Sequence, residues 1–132
     1  MKTAHRLYQS FLFVIVAFIV STTATYAASL RFSPSSGSYS NGQSFSVKVD
    51  LVLNAGEQVD GTDIYMTFDK DKLKVTQITE GSLFNSYPIK DFNNTDGKIT
   101  VSGLAKTSEP VEQGGTVATI TFKAIATGNA LA

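Results

Sequence analysis

The stretch "SFSVKVDLVLN", residues 44–54, alternates with a strict period of two. Phe45, Val47, Val49, Leu51 and Leu53 fall on one side of an extended chain, and Ser44, Ser46, Lys48 and Asp50 on the other. Side chains point to opposite faces only in a strand, so this pattern forces a sheet with one buried and one solvated face. The same signature returns downstream. "DIYMTF" puts Ile64, Met66 and Phe68 inward and Asp63, Tyr65 and Thr67 outward. "GGTVATITFKAIA" alternates Ala118, Ile120, Phe122 and Ala124 with Thr119, Thr121 and Lys123. "SLRFS" opens with Leu30 and Phe32 on one face, "LKVTQI" offers Leu73 and Val75, and Asp96-Gly97 is a hairpin signal ahead of Ile99 and Val101. No helical period runs longer than a turn after residue 28. Short strands with turn residues about every ten positions predict an all-β antiparallel sandwich or barrel.

The first 27 residues stand apart. Lys2 and Arg6 form a basic start, "FLFVIVAFIV" is an unbroken apolar run over 11–20, and "STTATYAA" supplies small residues. That three-part pattern predicts a secretory signal cleaved after Ala27, with Thr25 and Ala27 at the small-residue positions. An uncleaved anchor is the alternative, although ten apolar residues are short for a bilayer core of about 30 Å. Cleavage removes two of the eleven basic residues and keeps all eleven acidic ones, leaving a net charge of −2. Nothing in that balance supplies the basic face that nucleic acid needs. His5, the only histidine, leaves too, and the chain has no cysteine. A Ser-His-Asp triad, a thiol nucleophile and an ordinary zinc site are thereby excluded from the remaining domain.

"VDGTDIYMTFDKDKLKV", residues 59–75, carries the carboxylates that invite a functional reading. A helix-loop-helix calcium loop counted from Asp69 needs glycine at its sixth position, where Lys74 stands. Lys70, Lys72 and Lys74 oppose a cation further. A glycosidase pair needs two carboxyls across a shared cleft, one of them with a raised pKa. Asp69 and Asp71 lie instead in a lysine-rich turn, where aspartate commonly binds backbone amides. Sugar binding is a stronger rival, since Tyr39, Tyr65, Tyr87 and Phe84 are available as platforms. The absence of tryptophan weakens it. "LFNSYP" also reads as a loop whose aromatics plug the sandwich edge, and Asn93-Asn94-Thr95 matches a glycosylation sequon.

The ordered set "QVDGTDIYMTFDKDKLKV", "ITEGSLF", "DGKITVSGLA" and "GGTVATITFKA" resembles a cohesin domain, the scaffold module of cellulosomes that binds dockerins. The resemblance covers residues 29–132. It implies a nine-stranded jelly-roll β-sandwich that is non-catalytic, holds no metal or cofactor, and receives a dockerin-like protein on one flat sheet face. By that resemblance the partner-binding residues are Asp63, Tyr65, Thr67, Asn94 and Lys106. Lys106 stands where such domains commonly carry an acidic residue. Kinship with cellulose-binding modules of the same fold leaves a polysaccharide as the alternative ligand, and a surface-layer domain without a specific ligand as a third class. "TGNALA" leaves three residues after the Gly128-Asn129 turn, so the closing strand is expected to be incomplete.

Overall fold

A computed structural model describes residues 28–130 of the chain. The expected signal segment 1–27 and the terminal residues 131–132 lie outside the described residues. Seven strands form: β1 (Ser29–Ser33), β2 (Ser44–Val52), β3 (Gly61–Thr67), β4 (Leu73–Glu80), β5 (Ser86–Asn93), β6 (Lys98–Leu104) and β7 (Gly115–Ala124). They make two antiparallel sheets, one in the order β1-β2-β7-β4 and one in the order β3-β6-β5. Among the described residues there is no helix, and hence none long and apolar enough to cross a membrane.

The core lies between the sheets and is built by the alternation of the sequence. Val49 and Leu51 of β2, Ile64 and Met66 of β3, Val75 of β4, Ile99 and Val101 of β6, and Ile120 and Phe122 of β7 are all buried. Phe122 sits at the centre, fully enclosed, with the Phe45 ring stacked at 5.6 Å and Phe68 edge-on at 5.7 Å. Such offset and edge-to-face arrangements suit the aromatic quadrupole.

Two bulges interrupt the alternation. The β2–β7 register shifts at Val49/Asp50, where Val49 faces Ala118 and Asp50 faces Thr116. The extra residue on β7 is Val117, which is why Val117 and Ala118 are consecutive yet both fully buried. The second bulge, between Val75 and Gln77, leaves Thr76 out of the register with β7, and its hydroxyl donates to Thr121 O at 3.2 Å.

Two expectations need adjustment. The resemblance implies nine strands, whereas seven form among the described residues. The segments 34–43 and 105–114 close into turns and isolated bridges, Val59 with Val111 and Lys106 with Glu109, and add no strand. β5 was not anticipated from the alternation. It is an edge strand whose burial pattern shows almost no period, and it tolerates Pro88 beside its own register shift between Ser86 and Ile89.

Candidate functional site

The β3-β6-β5 sheet turns one face to the core and the other to solvent. Direct cross-strand partners share a face, so the ladder fixes the outer surface row by row. Leu104 faces Gly61; Ile89, Ser102 and Asp63 form the next row; Asp91, Thr100 and Tyr65 the third; Asn93, Lys98 and Thr67 the last. Gly61 keeps the first row low. A methyl group there would lie 2.9 Å from Leu104 Cδ2, so the leucine occupies the space above the glycine.

The chemistry of this face is mixed. Tyr65 is 77% exposed, Leu104 48% and Ile89 45%, and these three apolar groups occupy the rows within and beside the Asp63–Ser102 pair. Ser102 Oγ donates to Asp63 Oδ1 at 2.6 Å. Lys98 and Asp91 bring one charge of each sign to the rim. The surface is partly apolar and nearly neutral, with one oriented carboxylate near its middle. Such a patch suits a protein partner, because interface cores are depleted of charge and rich in tyrosine.

The expected partner-binding residues separate into three groups. Asp63, Tyr65 and Thr67 stand together along β3, outward as the alternation requires. Lys106 follows β6 beyond the Leu104 end, in a tight turn closed by a hydrogen bond from Glu109 N to Lys106 O at 2.9 Å. Its Nζ meets Glu109 Oε1 at 2.6 Å, so the lysine carries its own counter-charge. Its backbone N–H donates to Asn85 Oδ1 at 3.2 Å. Asn94 lies beyond the opposite end, in the β5–β6 turn, with its amide committed to the backbone of Val75. The alternation of "KITVSGL" also carries Ser102 and Leu104 outward. These two, with Ile89, belong to the face although the sequence reading did not single them out.

Other candidate chemistries find different employment. Asp69 Oδ1 accepts the Asp71 N–H at 3.1 Å, and Asp69 O accepts from Lys72 and Leu73, so Asp69 organises the β3–β4 turn as expected. Asp60 uses its carbonyl to accept the Ala105 N–H at 2.7 Å. Among the described residues no group of three or more His, Cys, Asp or Glu is placed to hold a metal ion. Of the four aromatics that could form a sugar platform, Tyr65 alone stands exposed on a sheet face. Tyr39 stacks on Phe45 at 3.6 Å, Phe84 is buried, and Tyr87 donates its hydroxyl to Gly81 O at 3.1 Å. Burial pushes the Tyr87 phenol above its usual value, with a smaller push from Glu80. A groove of about 700 Å³ opens at one edge of the sandwich between Phe32, Pro34, Tyr39, Phe45 and Leu73, and none of the expected partner-binding residues lines it.

The sequence model described as the cohesin domain matches residues 31–130. Solved structures share the fold. The third ScaC cohesin of Acetivibrio cellulolyticus, determined in complex with the ScaB dockerin, superposes with a TM-score of 0.59 at 22% identity. That match covers 67% of this chain and 65% of the other, so the chain spans slightly under two thirds of that neighbour. The OlpA cohesin of Clostridium thermocellum, in complex with Doc918, gives 0.62 at 18% identity, covering 79% and 76%. The sixth cohesin of Acetivibrio cellulolyticus scaffoldin B, in complex with a mutant Cel5 dockerin, gives 0.61 at 21%, covering 79% and 75%. At these identities the likeness is one of fold. No curated protein sequence matches the chain.

Proposed function

This chain belongs to the cohesin domain family, and from that premise we propose that it is a secreted, non-catalytic module that binds a dockerin-like protein through the outer face of the β3-β6-β5 sheet. The observation that carries the reading is the face itself: Asp63 oriented near its centre, with Tyr65, Ile89 and Leu104 exposed around it. The three solved neighbours described above were each determined with a dockerin bound, which supports the same class of partner. Asp63 and Tyr65 make the central contacts, Lys106 contacts at one end, and Thr67 contacts at the other, which Asn94 shapes. Residues 1–27 act as a removable signal, which places the domain outside the cell within a polysaccharide-degrading or surface assembly.

A polysaccharide is the second reading. It is less favoured because Tyr65 has no exposed aromatic partner beside it on this face, where a sugar chain needs a row of platforms. Calorimetry against the ScaB, Cel5 and Doc918 dockerins, with soluble cello-oligosaccharides in parallel, separates the two. The expected result is binding to at least one dockerin that weakens about ten- to a hundredfold in Asp63→Asn, as losing a charge-assisted hydrogen bond of about 1.5–3 kcal/mol implies. Sugar binding that survives Asp63→Asn, with no dockerin bound, replaces this reading by the carbohydrate one.

A further inference from the structure

We infer that Ser102 is the positioning residue of this face: its hydroxyl fixes the Asp63 carboxylate before any partner arrives and sets which partner groups that carboxylate accepts. The inference rests on the docking reading given above. Among the described residues Ser102 is the one buried polar side chain, 5% exposed. It sits in the central strand β6, between Ile89 on one side and Asp63 on the other. A buried hydroxyl is costly unless it is hydrogen-bonded, and its one proton can serve one acceptor strongly. That proton goes to Asp63 Oδ1 at 2.6 Å, the short distance of a hydroxyl donating to a charged oxygen.

Two consequences follow for recognition. First, the rotamer of Asp63 is chosen on folding, so a partner need not immobilise it, and ordering a side chain at an interface is a real cost of binding. Second, the pair presents lone pairs and no free proton. Ser102 has spent its donor, and Asp63 has none when ionised. The centre of the face therefore selects partner hydroxyls, amides or ammonium groups, and opposes a carbonyl or carboxylate brought to the same spot. A site that pairs buried polar groups rejects a mismatched partner more strongly than an apolar patch does.

The test uses Ser102→Ala and Ser102→Thr, with two readouts. The three-bond couplings between Hα and Hβ of Asp63 report its rotamer in the free protein. Calorimetry with the ScaB, Cel5 and Doc918 dockerins reports affinity. Ser102→Ala is expected to average the Asp63 couplings and weaken binding about five- to tenfold, the loss of one oriented hydrogen bond. Ser102→Thr, which keeps the hydroxyl, is expected to restore both. Couplings unchanged in Ser102→Ala overturn the inference. So does a rotamer released with affinity intact. A wild-type protein that binds none of the dockerins overturns the docking reading, and the positioning role with it; the free-protein couplings distinguish that failure from a carboxylate that was never held.

Discussion

The side-chain amide of Asn94 spans the backbone of Val75, its Oδ1 accepting the Val75 N–H at 2.8 Å and its Nδ2 donating to the Val75 carbonyl at 3.0 Å. Asn94 belongs to the turn between β5 and β6, and Val75 to the edge strand β4 of the other sheet. One side chain thus ties the two sheets together next to the bulge at Thr76, where the β4–β7 ladder slips. Asn94→Ala should leave two backbone groups without these partners and destabilise the domain by about 1–3 kcal/mol. Asn94→Asp keeps the acceptor but sets a carboxylate oxygen against the Val75 carbonyl, so it should not recover the loss. Chemical denaturation of both variants measures this.

The same turn depends on Gly97, whose φ of 67° is a left-handed conformation. Its carbonyl accepts the Phe68 N–H at 2.9 Å, and a Cβ at this position would lie 2.5 Å from Phe68 O. Gly97→Ala meets both the left-handed penalty, about 1–2 kcal/mol, and that close approach. A loss of about 2–3 kcal/mol in denaturation is expected, with a lower melting temperature.

Tyr87 gives the domain an alkaline limit. Its phenol is raised chiefly by burial, so the folded state holds the proton more tightly than the unfolded chain does. The stability this contributes is complete below the ordinary tyrosine value of 10.0 and is lost as pH rises through the higher folded value. In Tyr87→Phe the hydroxyl bond to Gly81 is gone, so the variant should be less stable near neutrality. Its stability should also fall less steeply than that of the wild type above pH 10. Melting curves from neutral to strongly alkaline pH check both slopes.

Lys106→Glu should act on partner choice and leave the fold nearly intact. The Lys106–Glu109 pair is largely exposed and so contributes little to stability. The substitution turns a self-neutralised turn into two adjacent carboxylates at the rim of the face. Association rates with a basic dockerin should rise, and those with an acidic one fall, most clearly at low salt. Stopped-flow binding at two ionic strengths measures the effect.

How far these features were legible in the sequence depends on how local their causes are. β2, β3 and β7 are readable because each alternates over six or more residues with an inner face that is buried or packed against the core, as Phe45 to Leu53 and Ala118 to Ala124 show. Asp69 is readable because its partner, the Asp71 N–H, is two residues away. β5 escapes because its core-side positions are held by Lys90, paired with Glu80 at 2.5 Å, and by Phe92, which is 36% exposed. A lysine does not look like a core residue in a string of letters, and Phe92 alone makes no period. Val117 escapes because a bulge breaks the period that would have placed it. Asp63 and Tyr65 are legible as outward residues from one strand alone. Their setting depends on Ser102 and Ile89, which come alongside only through pairings 39 and 26 positions away from Asp63. Asn94 reads as a surface turn residue until β4, 19 residues earlier in the chain, is brought beneath it.

The central claim is that the outer face of the β3-β6-β5 sheet is the docking surface. Mapping amide chemical-shift changes on addition of whichever of the ScaB, Cel5 or Doc918 dockerins binds tests it most directly. The account predicts that the largest changes fall on Gly61–Thr67, Lys98–Leu104 and the Ile89 and Asp91 positions of β5, extending to Lys106. Changes confined to the outer surface of the β1-β2-β7-β4 sheet, or to the groove beside Tyr39 and Phe45, would contradict it.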